Sequence, residues 1–394
     1  IVQGGNLYAP LGTIQLGYSA SQTLPAILIG SAADTGSNIY DPVGSVARGV
    51  LNNSAISAIT TDSVTLASGS VTSVSAAGLS IPYGTTIDGA NWTDSGVVLN
   101  GPPEKLIVLG GANIQAQAGA VIDERGGGDV YATEFAPGTG GSRNVLTTTT
   151  QTVYALVPSY EAQVAPYDPG FGVTVAPGTS VTIPGGNGIP AGTYTLMPGM
   201  YATLPGAYRL VVVKTDTGSN VAINTVTADG SVYMTGTLGN AITGSRSSQT
   251  ALLETQSNAV WTKYSEIDIA SGNNYFANLA AANGTSVPRL AQDGGQLVTA
   301  AAESLTLGAT NLFAPASGGR GGEVDITGTN MLVVASDLKS SFTSNSTYDN
   351  YLILDADQLS NLGVESLLIG GTRSTTSAGT QITATAQNLE IATD

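Results

Sequence analysis

Two absences narrow the chemistry open to this chain: its 394 residues contain no His and no Cys. Ser-His-Asp and Cys-His catalysis are thereby excluded, as are zinc sites built on imidazole or thiolate. Carboxylates remain. Asp355 and Asp357 share one face of an extended segment, and Asp123-Glu124-Arg125 places acids beside a base. Clustered carboxylates of this kind cleave polysaccharides, one acting as acid and another as base. The competing reading makes Asp355 and Asp357 a helix cap or turn, and Asp123 to Arg125 a solvated turn. It is the reading adopted, because acidic residues are sparse and lack recurrent spacing. The chain is therefore read as non-enzymatic.

Oxygen-rich loops raise calcium as a second possibility. Asp34, Asn38 and Asp41 fall in one polar loop, and Asn345, Asp349 and Asn350 in another. Neither follows the spaced ligand pattern of a dedicated calcium loop, so no metal or other cofactor is expected. Gly126-Gly127-Gly128-Asp129 lacks the Lys and Ser/Thr that complete a phosphate loop, and reads as a turn. Arg320 and Arg373 lie near Gly-rich turns, where pairing with local carboxylates or carbonyls is expected rather than capture of an acidic partner.

Recognition chemistry points elsewhere. Between residues 150 and 215 lie six of the 16 tyrosines (Tyr154, Tyr160, Tyr167, Tyr194, Tyr201 and Tyr208) and eight of the 17 prolines. Exposed tyrosine rings stack on sugars or pack on proteins, so the six form a candidate recognition surface; the alternative is that they build the small core of an irregular module. Proline breaks ladder pairing, which sets this stretch apart from its flanks.

Composition bounds the rest. Charged residues make up only 10% of the chain, against roughly 25% in an average globular protein. Twelve basic residues face 28 acidic ones, for a net charge of −16. Such a surface repels nucleic acid and anionic membranes. No apolar run approaches the length of a transmembrane helix. The N-terminus lacks the basic start and apolar stretch of a signal peptide and begins in mid-pattern, so the expectation is a segment cut from a longer precursor. The lack of Cys, with abundant Ser, Thr, Gly and Asn, fits export through an oxidising periplasm.

The flanking regions read as short strands between Gly, Pro, Asn and Asp turns, among them Ala26–Ile29, Ser63–Leu66, Leu106–Leu109, Asn113–Gln117 and Ser366–Ile369. Gly4-Gly5-Asn6-Leu7 through Leu16-Gly17 repeats the beat of Gly294-Gly295-Gln296-Leu297 through Leu307-Gly308. Recurring strand-turn units predict an all-β chain: a right-handed parallel β-helix, or β-solenoid, interrupted by a Tyr/Pro-rich β module. The expected divisions are 1–149 and 291–394 for the β-helix and 150–290 for the module. Helical turns are predicted at Tyr275 to Ala282 and Asp357 to Leu362.

Several phrases then resemble a known family. They are Gly69-Ser70-Val71-Thr72-Ser73-Val74, Pro190-Ala191-Gly192-Thr193-Tyr194-Thr195-Leu196-Met197-Pro198, Tyr201-Ala202-Thr203-Leu204-Pro205-Gly206-Ala207-Tyr208-Arg209, Gly318-Gly319-Arg320-Gly321-Gly322 and Glu365-Ser366-Leu367-Leu368-Ile369-Gly370-Gly371-Thr372-Arg373. In order, they resemble the C-terminal-type domain of filamentous-haemagglutinin-like large exoproteins, the two-partner secretion adhesins of Gram-negative bacteria. The resemblance implies an extracellular adhesin at the cell surface, active in attachment, aggregation and biofilm formation. It also implies an outer-membrane transporter as export partner, and surface glycans, proteins or other copies of the chain as binding partners. It carries over no catalytic residues. A self-assembling extracellular filament subunit and a polysaccharide lyase or hydrolase are the alternatives.

Overall fold

The computed structural model describes residues 1–19, 60–94, 96–148, 150–166, 171, 174–215 and 224–392. The chain is mostly β and divides into two compact units. The first comprises Ile1–Ile81, Asn100–Val130 and Gly272–Asp394; the second comprises Pro82–Leu99 and Tyr131–Ser271. The chain thus leaves the first unit twice, where a single excursion over 150–290 was expected.

Parallel ladders build the first unit. One sheet runs β1 (Val2–Gln3), β4 (Ser63–Leu66), β9 (Leu106–Ala116), β20 (Gln296–Leu307), β22 (Glu323–Thr327) and β25 (Ser366–Ile369), with β3 (Thr13–Gly17) also on β9. A second holds β2 (Asn6–Tyr8), β5 (Val71–Ser73), β10 (Val121–Asp123) and β21 (Thr310–Leu312). A third holds β24 (Leu352–Asp355), β23 (Asn330–Val334) and β28 (Asn388–Ala392).

Period-2 alternation sends one side-chain set of each strand inward. The register stacks that set into columns: Ile14, Ile107, Leu297 and Val324 form one, which ends at the exposed Leu367, and Leu16, Leu109, Thr299, Ile326 and Ile369 form the next. Ile107, Leu109, Leu297, Val324 and Ile326 are fully buried in the unit's main cluster. Each such side chain contributes about 1.5–3 kcal/mol. Gly17 adopts φ 76°, and a Cβ there would collide with the Gly110 carbonyl. The chain can pass that close only without a side chain.

The second unit is antiparallel. β13 (Thr179–Ile183), β14 (Gly192–Pro198), β12 (Thr152–Leu156), β15 (Tyr208–Lys214), β18 (Ala251–Ser257) and β17 (Val232–Asn240) pair in that order. β13 also pairs with β17, which closes a six-stranded barrel, and β16 (Thr225–Val226) extends β17. Leu156, Val181, Ile183, Leu196, Leu210, Met234 and Leu253 fill one of its cores. At Gly236 of β17 a Cβ would lie 2.6 Å from Leu253 Cδ1, so a side chain there would force the buried Leu253 to shift. A further sheet runs β19 (Glu266–Ser271), β11 (Asp129–Ala136), β6 (Ser80–Ile87), β7 (Asn91–Asp94) and β8 (Val97–Val98).

These findings overturn the expected right-handed parallel β-helix. The sheets are mixed, and a closed antiparallel barrel accounts for most of the second unit. The reason is local. Tight turns such as Ala90 to Ile87, between β6 and β7, and Gly230 to Thr227, between β16 and β17, reverse the chain, so those successive strands pair as antiparallel neighbours. The first unit departs too: β26 (Gly371–Thr376) and β27 (Gly379–Ala384) form an antiparallel hairpin. The repeat seen in sequence aligned Leu7 with Leu297, whereas the structure pairs Ile14 with the Ile107 that Leu297 also faces, and moves Leu7 to the second sheet beside Thr72. The predicted strand over Ala26 to Ile29 lies outside the described residues.

The helices are α1 (Asn258–Trp261), α2 (Gly272–Asn283), α3 (Lys339–Thr343) and α4 (Ala356–Ser360) among the described residues. α2 covers the predicted Tyr275 to Ala282 turn. α4 begins one residue before its predicted start.

Candidate functional site

The outward face of the first unit's main sheet carries a cleft of about 820 Å³. Side chains that alternate away from the core form its floor: Leu106 and Val108 of β9, Gln296 and Val298 of β20, and Glu323 and Thr327 of β22. Leu106, Val108 and Val298 make a separate apolar patch there. The β26–β27 hairpin supplies Thr372, Ser374, Thr375, Thr380 and Thr383 to the lining, and Ser286 adds another hydroxyl.

Three arginines and three glutamates converge on this cleft. Arg289 Nη1 lies 2.9 Å from Glu323 Oε1, and its Nη2 donates to the Gly294 and Gly321 carbonyls. Arg373 Nη1 reaches the same Glu323 oxygen at 3.3 Å, while its Nε donates to Asp325 Oδ1 at 2.6 Å. Arg320 grips Asp293 through Nε and Nη2, at 3.0 and 2.6 Å. Glu365 accepts from the Gly321 amide. Glu104 alone among these carboxylates has no hydrogen bond and no ion pair within 4 Å among the described residues.

Environment separates the acids. Burial lifts the Glu104 carboxyl above its ordinary range, against the pull of Arg289. Burial likewise raises Asp325, which is wholly inaccessible, despite the Arg373 contacts. Burial acts on Asp293 as well, but the Arg320 bonds outweigh it and hold this carboxyl below the usual range. With Asp293 and Asp325 behind the lining, five carboxylates face three guanidinium groups, a formal balance of −2. Polyanions are disfavoured in such a cleft.

Deeper in the same unit, Lys105 donates to the Ala291 and Asp293 carbonyls, and burial lowers its ammonium to about 8. Glu124 is fully buried with both oxygens unpartnered, and burial raises its carboxyl well above the normal range.

The residues singled out from sequence fall into distinct places. Arg320 and Arg373 both reach the cleft, each paired with a carboxylate as expected. Asp355 caps α4, accepting from the Asp357 and Gln358 amides at 3.0 and 3.2 Å, so it is held as a cap and not paired with Asp357. Asp123 and Arg125 bind each other two-pronged, both contacts at 2.9 Å. Asn345 caps a short turn by accepting from the Thr347 amide. Among the described residues no three carboxylates gather as metal ligands. Asp34, Asn38 and Asp41 lie outside the described residues, as does Tyr167.

The remaining tyrosines divide between two clusters. Tyr154, Tyr194 and Tyr208 pack against the barrel core; Tyr160 and Tyr201 join a second cluster with Phe171, Met197 and Trp261. Tyr194 and Tyr160 donate their hydroxyls to the Pro190 and Val164 carbonyls.

Sequence reasoning missed Glu104, Arg289, Glu323 and Glu365. One of them directly follows a Gly-Gly pair, in Gly321-Gly322-Glu323, and that adjacency was the available signal.

Fold and site together describe a mostly β protein with a closed antiparallel barrel and a charge-paired surface cleft. Comparisons with protein-family models, with curated proteins and with solved structures find no match for the chain.

Proposed function

We propose that the chain is a structural and adhesive segment of a large secreted bacterial exoprotein. It acts at the outer surface of a Gram-negative cell in attachment, aggregation or biofilm formation, and an outer-membrane transporter exports it by two-partner secretion. The observation that carries this reading is the state of the cleft. Glu323 is held by two guanidinium groups and Glu365 by the Gly321 amide, which leaves Glu104 as the one cleft carboxyl without a partner among the described residues, rather than a matched pair of free acids. The same cleft is lined by hydroxyl-bearing side chains suited to surface glycans or proteins. The experiment is retention of the purified chain on intact bacterial and host cells, and on immobilised glycans. Saturable retention supports adhesion; none on any surface refutes it.

A second reading, a self-assembling filament subunit, draws on strand edges that are unpaired among the described residues. β1 and β2 each end a sheet and expose Val2 and Tyr8 at 76% and 63%; β28 ends another and exposes Ile391 at 68%. Unpaired apolar edges template further strands. Sedimentation across a hundredfold range of concentration separates assembly from a monomer.

A further inference from the structure

The first unit's cleft combines two features that its internal ion pairs leave over. The first is the unpartnered Glu104 carboxyl, half-buried at one side. The second is a rim of hydroxyls, from Ser286, Thr372, Ser374, Thr375, Thr380 and Thr383, that make no hydrogen bond to protein among the described residues. The formal balance of −2 adds a preference for positive charge.

We propose that this cleft binds an amino sugar with a free amine, its ammonium paired with Glu104 and its hydroxyls on the rim. The inference rests on reading the cleft as a contact surface rather than a catalytic one. Each feature selects against a neighbouring class. A uronate would bring a second negative charge. An N-acetylated sugar has no cation for Glu104. A lysine side chain supplies cation and apolar stem but nothing for the hydroxyl rim. A charge-assisted hydrogen bond is about twice as strong as a neutral one, so the amine should dominate selectivity.

The test is calorimetric titration of the whole chain with a glucosamine trimer, its fully N-acetylated counterpart and Nα-acetyl-lysine methylamide. A net charge of −16 attracts any cation, so Asp268→Asn, an exposed site in the other unit, serves as the charge control. Glu104→Gln keeps the shape and removes the charge. The expected result is binding of the amine trimer at least tenfold tighter than of either comparator. Glu104→Gln should weaken it about tenfold and Asp268→Asn less than twofold. Thr375→Val, at an exposed rim position, should weaken the trimer severalfold and leave the lysine derivative unchanged; it keeps the test informative if Glu104→Gln unfolds. Equal binding of the acetylated trimer, tighter binding of the lysine derivative, or equal losses in Glu104→Gln and Asp268→Asn overturn the proposal. Cell retention without trimer binding sinks this inference alone, whereas loss of both sinks the adhesive reading too.

Discussion

Replacing Arg373 by Met should destabilise the first unit by about 3–5 kcal/mol, the usual cost of removing one partner of a buried ion pair. Arg373 is 9% exposed in its side chain and Asp325 is 0% exposed. Met fills most of the guanidinium's volume, so the loss is electrostatic. The Asp325 carboxylate keeps the Arg373 amide at 2.8 Å and Gln296 Nε2 at 2.9 Å, but loses its only ion-pair partner among the described residues. At 2–4 °C per kcal/mol for a domain of this size, the midpoint should fall by on the order of 10 °C. Burial already raises Asp325, and the variant raises it further. A folded-state carboxyl above its unfolded value is best tolerated at low pH and loses stability as pH rises through the unfolded value towards the folded one. The deficit should therefore shrink on acidification below the ordinary carboxylate range. Trp92 and Trp261 both belong to the second unit, so the assay is hydrogen exchange on peptides covering β20 and β22. In a double-mutant cycle, Asp325→Asn should recover a substantial part of the loss. A loss below about 1 kcal/mol, or a loss independent of both pH and Asp325, would show that the pair is not held as the structure has it.

Other outcomes follow from the same geometry. Gly17→Ala forces a side chain at φ 76° against the Gly110 carbonyl and should prevent stable folding of the first unit, whereas Gly69→Ala, at φ 84° with open space around it, should cost about 1 kcal/mol in denaturant titration. Gly322→Ala would place a Cβ 2.7 Å from the buried Phe313 ring and should cost about 1–3 kcal/mol by the same measurement. Lys105, lowered to about 8 by burial, penalises the folded state while it is charged. Stability should accordingly rise between about pH 8 and 10.5, and Lys105→Met should flatten that rise. Glu124, raised by burial, acts in the opposite sense: stability falls as pH climbs above the ordinary glutamate range, and Glu124→Gln should remove that fall.

Individual strands were legible where alternation was strong and turns were marked. Ser63–Leu66 and Ser366–Ile369 match the sequence expectation residue for residue, and the separate strands expected over Leu106–Leu109 and Asn113–Gln117 merge into one strand of 11 residues, Leu106–Ala116, that stops one residue short of Gln117. Architecture was not legible from the same signals. Alternation fixes which side chains face inward but not whether the next strand returns parallel or antiparallel; turn hydrogen bonds and loop lengths decide that. The Tyr/Pro stretch differs from its flanks in composition, yet its closure into a barrel depends on β13 meeting β17, more than 50 residues later, which no local pattern encodes. The cleft was half visible. Arg320 and Arg373 stood out beside Gly-rich turns, but Glu104, Arg289, Glu323 and Glu365 are scattered over more than 260 positions and meet only through strand register.

The most direct test is to incubate the whole chain with amine-bearing and N-acetylated polysaccharides, measuring bound protein and released sugar ends together. A contact surface predicts saturable retention on the amine-bearing polymer with no new reducing or unsaturated ends. Release of such ends, or no retention on either polymer, would contradict it.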